Sequence, residues 1–105
     1  MAYEVVWSNE AVFDLESIAE FIKKDSPINA KIVVTKFFNL VSKYGLHPRL
    51  STIVPEIGDE LIRHKLVYGW RVIFKIDDKK MQVVILTIIH GKRQFNNLYG
   101  KLAES

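Results

Sequence analysis

Residues 70–89, WRVIFKIDDKKMQVVILTII, decide the fold of this chain because they contain two β-forming runs joined by a polar turn. Trp70–Ile76 and Met81–Ile89 are rich in β-branched and aromatic residues, whereas Asp77-Asp78-Lys79-Lys80 is typical of a turn. The second run is the most apolar in the chain. We therefore expect it to form the central strand of a sheet.

The N-terminal half of the chain predicts one strand and two helices. Tyr3–Trp7 is a short β-rich run. Apolar residues then recur at helical spacing from Ala11 to Ile22 and again from Ala30 to Tyr44. Ser26-Pro27 is a cap followed by proline at the first helical position, and Gly45 ends the second stripe. Because the connection between them is so short, the two helices should pack as an antiparallel hairpin.

The remaining segments complete an α+β fold. Ser51–Pro55 and Glu60–Val67 are further strand candidates, and a short helix is expected from about Gln94. The order β-α-α-β-β-β-α predicts an N-terminal strand and an antiparallel helical hairpin packed on a mostly antiparallel sheet of about four strands, with a short C-terminal helix. With 105 residues, the chain fits a single domain spanning 1–105.

Composition excludes several kinds of chemistry and several locations. The chain has no cysteine, so disulfides and cysteine-bound zinc are excluded. Three histidines without a carboxylate cluster make a poor metal site, and no phosphate-cradling glycine loop is present, so we expect no metal and no cofactor. The N-terminus lacks a signal peptide and the longest apolar run is too short to span a bilayer, so we expect a cytoplasmic protein without membrane contacts.

Positive charge is concentrated in the C-terminal half. Residues 1–59 carry six Lys/Arg against eight Asp/Glu, a net charge of −2, whereas residues 60–105 carry nine against four, a net charge of +5. The two values add to the overall charge of +3. Such a basic half suits an acidic partner, either nucleic acid or an acidic peptide, although a solvated surface would have the same composition.

The strand pair around Tyr68-Gly69 predicts a basic face. A two-residue hairpin loop there would place His64 opposite Ile73. Because side chains alternate between the faces of a sheet, His64, Arg71 and Lys75 would then share one face. The next basic residues follow the last strand and could rim this face: His90, Lys92 and Arg93.

The same alternation would point Arg63 and Lys65 to the opposite face. Arg71 lies in mid-strand among apolar residues, and a partly buried guanidinium must be paired. Its partner would be either a carboxylate in a structural ion pair, for instance Glu56 or Glu60, or an anion such as phosphate. The sequence leaves both alternatives open.

Several segments resemble the RelE/ParE superfamily of toxins. Asp14–Ile22, together with the Ser-Pro restart after it, resembles the helical hairpin of ParE-like toxins, and Val54-Pro55-Glu56 resembles the segment that enters their sheet. Arg63, eight residues before Arg71, resembles their paired strand arginines, and Ile85–Arg93 resembles the last strand and its basic ending. Because these pieces cover nearly the whole chain in the same order, the chain is identified as a member of this superfamily, most similar to ParE-like toxins.

The resemblance implies a type II toxin that a cognate antitoxin protein neutralises in a hetero-oligomer. The ParE-like branch poisons DNA gyrase and has no known hydrolytic chemistry. The RelE-like branch cuts mRNA in the ribosome without a metal, because the ribose 2′-hydroxyl attacks the adjacent phosphate. We expect a gyrase poison. The alternatives are a ribosome-dependent mRNA endonuclease and an inactive homologue that only binds an antitoxin.

The resemblance also nominates site residues. The catalytic candidates, which apply only to a ribonuclease, are Arg71, His90, Arg93 and Tyr99. The candidates for binding the target or the antitoxin are Arg63, His64, Arg71, Lys75, Lys92 and Arg93. The two strand lysines of RelE-like enzymes fall on Ile62 and His64, and isoleucine can transfer no proton. This departure and the ParE-like hairpin favour gyrase as the target.

Overall fold

A five-stranded sheet with two helices on one face is the architecture of residues 2–90, the part of the chain that this computed structural model describes. The elements in chain order are β1 (Glu4–Trp7), α1 (Asn9–Lys23), α2 (Pro27–Val41), β2 (Thr52–Ile53), β3 (Ile62–Val67), β4 (Trp70–Asp77) and β5 (Gln82–His90). The predicted α+β fold is confirmed. The helix expected from about Gln94 lies outside the described residues.

The sheet has the strand order β1-β5-β4-β3-β2. β1 pairs in parallel with β5, and the other neighbours are antiparallel. The mostly antiparallel sheet is thus confirmed, with five strands where about four were expected. β5 is an interior strand between β1 and β4, but β4 occupies the middle of the sheet, so the central position predicted for β5 is wrong by one strand.

Both helices begin at the side-chain caps that their sequences favour. The Ser8 hydroxyl accepts a hydrogen bond from the backbone N–H of Ala11 at the start of α1. The Ser26 hydroxyl accepts one from Asn29 at the start of α2, and Pro27 occupies the first turn. The two helices are the antiparallel hairpin that the short connection predicts, and they contact each other and the sheet.

The second helix ends before Gly45, the residue predicted to end it. α2 stops at Val41 and a 3₁₀ turn continues over Ser42–Gly45, followed by a second at Pro48–Leu50. A Cβ atom at Gly45 would lie 2.1 Å from the carbonyl oxygen of Tyr3. Glycine is therefore required here because the backbone before β1 approaches closely, and not because the helix needs a left-handed cap.

The sheet has apolar clusters on both faces. The larger one lies under the helices and includes Leu15, Ile18, Phe37, Val72, Phe74 and Ile85. Burial of each large side chain in it contributes about 2 kcal/mol. The smaller one lies on the other face, where Val54 covers Ile73 and Ile89. The segment that contains Val54 also brings the next residues, Pro55 and Glu56, over the face predicted to be basic.

Candidate functional site

The register of the β3–β4 hairpin is the one predicted from its two-residue loop. His64 lies opposite Ile73 and Leu66 lies opposite Arg71. His64 and Arg71 consequently share the face turned away from the helices with Lys75. Arg63 and Lys65, the latter with its ammonium 5.5 Å from the Tyr44 ring centroid, lie on the helical side, as predicted.

Arg71 is the centre of a closed polar cluster on this face. Its guanidinium donates two hydrogen bonds to the Glu56 carboxylate, at 2.7 and 3.0 Å, and a third from Nε to Nδ1 of His64 at 3.0 Å. The Arg71 side chain is only 8% exposed, whereas that of Glu56 is 30% exposed. The sequence left open whether Arg71 pairs with a carboxylate or with an anion such as phosphate. In the structure its partner is a carboxylate, that of Glu56 and not that of Glu60.

Electrostatics hold this cluster in one protonation state near neutral pH. The hydrogen bonds from Arg71 lower the pKa of Glu56 to about 2. Burial, and then the positive charge of Arg71, lower the pKa of His64. His64 is therefore neutral, and its Nδ1 lone pair is free to accept the hydrogen bond from Arg71. The cluster combines one cation, one anion and one neutral acceptor.

Arg63 anchors the edge of the sheet and is itself buried. Its Nε donates to the carbonyl of Glu60 at 2.6 Å, and one terminal nitrogen donates to the carbonyls of Arg49 and Ser51 at 3.1 and 2.9 Å. These bonds tie the second 3₁₀ turn to β3. Arg63 is 9% exposed, so this candidate binding residue is presented inward. Lys75, by contrast, is exposed.

A groove of about 430 Å³ runs beside the cluster, where the short strand β2 stops covering β3. β2 pairs only with His64 and Arg63, so the rest of the β3 edge has no strand beside it within residues 2–90. The groove is lined by Leu50, Ser51, Thr52, His64, Lys65, Leu66 and Arg71. Lys65, which is exposed, and Arg71, which is paired with Glu56, both line this groove.

His90 lies on the opposite face of the sheet from Arg71. A β-bulge leaves Leu86 without an opposite residue, because Ile73 pairs with Thr87 and Phe74 with Ile85. After the bulge, His90 pairs with Trp70, and their rings make an edge contact with centroids 5.3 Å apart. The expectation that His90 rims the face of Arg71 is therefore wrong.

Two side chains that the sequence analysis did not assign to the site hold this bulge. The Ser8 hydroxyl donates to the carbonyl of Leu86 at 2.9 Å. One carboxylate oxygen of Asp14 accepts from the Thr87 hydroxyl at 2.5 Å and from the N–H of Ile88 at 3.0 Å. Their only signal in the sequence is a capping serine and an acidic residue on the first helix, which many helices have.

Three of the candidate site residues lie outside the described residues: Lys92, Arg93 and Tyr99. Within residues 2–90, no three histidine and carboxylate side chains form a group that could hold a metal ion. No helix in the same part of the chain is long and apolar enough to cross a membrane. The described site thus consists of the cluster around Arg71 and the groove beside it.

The comparisons with known proteins define the family and the fold to which this chain belongs. Residues 5–95 match the sequence model of the family described as the ParE toxin of the type II toxin–antitoxin system parDE. The chain therefore belongs to the ParE toxin family of type II toxin–antitoxin systems. No protein with a curated description matches it significantly.

Solved structures share the fold at low sequence identity. The chromosomal ParDE system of P. aeruginosa matches with a TM-score of 0.69 and 17% identity, covering 85% of this chain and 96% of that one. A mutant of the E. coli toxin RelE in the free state matches with a TM-score of 0.66 and 14% identity, covering 99% and 97%. The RelBE2 toxin–antitoxin complex of Mycobacterium tuberculosis matches with a TM-score of 0.54 and 24% identity, covering 86% and 99%.

Proposed function

We propose that this toxin arrests growth by poisoning DNA gyrase and that a cognate antitoxin neutralises it in a hetero-oligomer. The match to the ParE family over residues 5–95 supports the choice of branch. The similar ParDE system and RelBE2 complex are toxin–antitoxin pairs, which supports an antitoxin as the partner. Gyrase acts in the bacterial cytoplasm, and the proposal places this single-domain protein there.

The observation that carries the choice of gyrase is the closed cluster around Arg71. A ribonuclease needs a cation that can hold the charge developing on the scissile phosphate. Here the Arg71 guanidinium gives two hydrogen bonds to Glu56 and one to His64. A phosphate would have to displace the carboxylate of Glu56 before it could reach this arginine.

The strand positions that carry lysines in RelE-like enzymes support the same choice. The Ile62 side chain packs against the smaller apolar cluster, so it supplies neither charge nor a proton. His64 is held neutral and uses Nδ1 to accept from Arg71. His90 lies on the other face of the sheet, so it does not place a proton donor beside Arg71.

Two purified assays separate the targets. The toxin is added to DNA gyrase with relaxed plasmid, and in parallel to a translation reaction programmed with a defined mRNA. We expect supercoiling to be lost while the mRNA stays intact. Arg93→Ala should weaken the inhibition, whereas Lys79→Ala, in the exposed β4–β5 turn, is the matched control and should leave it unchanged. Cut mRNA with unimpaired gyrase would contradict the proposal.

An mRNA endonuclease is the second candidate, and the groove beside Arg71 favours it. This groove has Lys65 and His64 on its lining, and a phosphate in it could replace Glu56 on Arg71. Under this alternative Tyr99→Phe reduces mRNA cleavage, because a proton donor or acceptor is lost, whereas His90→Gln does not, because His90 lies on the other face of the sheet. Under the gyrase proposal both substitutions leave toxicity unchanged.

The third candidate, an inactive homologue, would bind its antitoxin and inhibit neither assay. It predicts that expression of the chain without the antitoxin leaves the growth rate unchanged. A growth defect that co-expression of the antitoxin relieves would exclude this candidate, whichever of the two targets is inhibited.

A further inference from the structure

A second cavity, of about 150 Å³, lies on the helical side of β3, beside the two 3₁₀ turns that follow α2. We call it the Tyr44 cavity. Its walls include the apolar side chains of Leu46 and Phe74, and its polar lining includes Lys43, Tyr44, His47 and Lys65. No acidic side chain among residues 2–90 lines it. Of these polar side chains only Lys65 also lines the groove beside Arg71, so the cavity is a different place in the fold.

Tyr44 brings a hydrogen-bond donor to this cavity. The residue is only 7% exposed, and its hydroxyl makes no hydrogen bond with any of residues 2–90. Since no fully buried polar side-chain atom in this part of the chain lacks a partner, the hydroxyl must reach solvent. Burial raises the pKa of Tyr44 to about 12, so the group keeps its proton near neutral pH. The Tyr44 hydroxyl is therefore a donor that a ligand in the cavity can use.

Two lysines place positive charge at the same cavity. The Lys65 ammonium lies 5.5 Å from the centroid of the Tyr44 ring, and Lys43 precedes Tyr44 in the first 3₁₀ turn. Neither lysine forms a salt bridge with any of residues 2–90, whereas Arg49, in the neighbouring turn, is paired with Asp78. The two lysine charges thus have no counter-ion in the described part of the chain. Apolar walls beside them strengthen their attraction for an anion.

We propose that the Tyr44 cavity binds a phosphate group, either as free phosphate or as the terminal phosphate of an organic ester. A phosphate dianion balances two lysine charges, and its oxygens can accept from both ammonium groups and from the Tyr44 hydroxyl at once. A carboxylate has a single charge and would leave one lysine unbalanced. The cavity has the volume of about five water molecules, so it holds the phosphate and leaves the rest of an ester outside. This inference does not depend on which target the toxin poisons.

The test is an NMR titration of the full chain with inorganic phosphate and, separately, with a 5′-mononucleotide, at constant ionic strength. Tyr44→Phe removes only the hydroxyl oxygen and keeps the ring. It should weaken binding about tenfold, because a hydrogen bond to a charged acceptor is lost. Tyr68→Phe is the matched control, because Tyr68 is 56% exposed and lies outside the cavity, and it should leave binding unchanged.

The lysine charge provides the second comparison. Lys65→Gln should also weaken binding about tenfold, whereas Lys80→Gln, in the exposed β4–β5 turn, should leave it unchanged. Because Lys65 is exposed, Lys65→Gln keeps the test decisive if Tyr44→Phe lowers the stability.

We expect both ligands to bind, and tighter binding of one of them identifies the source as free phosphate or as an ester. The proposal would be overturned if neither ligand bound at up to about 10 mM. Wild-type affinity in Tyr44→Phe, or equal losses in Lys65→Gln and Lys80→Gln, would overturn it as well, since the attraction would then not depend on this cavity.

Discussion

At the scale of single residues, the pair of Glu56 and Arg71 is asymmetric, because the arginine is buried and the glutamate is partly hydrated. Glu56→Ala leaves a desolvated guanidinium without its anion, so we expect a loss of about 2 kcal/mol in the free energy of unfolding. Arg71→Met keeps much of the side-chain volume and leaves a carboxylate that water can reach, so it should cost about 1 kcal/mol or less.

The measurement for this pair is urea unfolding of both single variants and of the double variant. In Arg71→Met there is no guanidinium for the Glu56 carboxylate to neutralise. The double variant should therefore have the same free energy of unfolding as Arg71→Met alone. If Arg71→Met lowered the free energy of unfolding more than Glu56→Ala does, this explanation would be contradicted. The cost of removing Glu56 would then not come from a buried guanidinium left unpaired.

The same glutamate predicts how stability depends on pH. Its folded pKa is about 2, below its ordinary value of 4.5, so its stabilising effect is complete above the ordinary value and is lost as pH falls towards the folded one. We expect the wild type to lose its advantage over Glu56→Gln between about pH 5 and about pH 2. After allowance for the solvent exposure of Glu56, that advantage is about 1 kcal/mol.

The contribution of His64 protonation to the pH dependence of stability must be separated from that of Glu56. Its folded pKa is lowered, so its protonation also destabilises the native state, beginning nearer its ordinary pKa of 6.5. The comparison of wild type with Glu56→Gln at each pH largely removes this contribution, because both chains carry His64. An advantage that stays constant down to about pH 3 would contradict the charged pair.

At the scale of secondary-structure elements, the β5 bulge decides which face of the sheet His90 occupies. Asp14 holds this bulge by accepting hydrogen bonds from Thr87 and Ile88. We expect Thr87→Val to lower the free energy of unfolding by about 1–2 kcal/mol, because the Asp14 carboxylate loses a buried donor. Thr35→Val is the matched control, since the Thr35 hydroxyl is exposed and, among residues 2–90, bonds only to the carbonyl of Lys31 in its own helix. Thermal unfolding of both variants checks this, and equal losses would contradict a role for Asp14 at the bulge.

The strands and the hairpin register could be predicted from the sequence because the signals are local. Tyr68-Gly69 specifies a two-residue loop, and this loop sets the partners of His64 and Arg71. The bulge at Leu86 could not be predicted, since its residues are apolar on both sides and the bonds from Ser8 and Asp14 span more than seventy residues. The bulge places His90 on the face opposite Arg71, whereas the sequence analysis expected it at the rim of the same face because it follows the last strand.

At the scale of the whole molecule, contacts between distant segments account for the other differences between the fold predicted from the sequence and the structure. The parallel pairing of β1 with β5 joins Val5 to Val83, and no periodicity in the sequence specifies that partner. It makes β5 an interior strand and leaves β4 in the middle of the sheet. For the site, the sequence could name Glu56 as a partner for Arg71 but not choose it over Glu60, because the choice depends on how the chain between β2 and β3 crosses the sheet.

The target is also a property of the whole molecule, and one measurement tests it most directly. DNA synthesis and protein synthesis are pulse-labelled in cells just after this toxin is induced without its antitoxin, with induced Arg93→Ala beside it. We expect DNA synthesis to fail first while translation continues, and Arg93→Ala to delay that failure. Translation that fails before DNA synthesis would contradict gyrase poisoning and point instead to cleavage of mRNA.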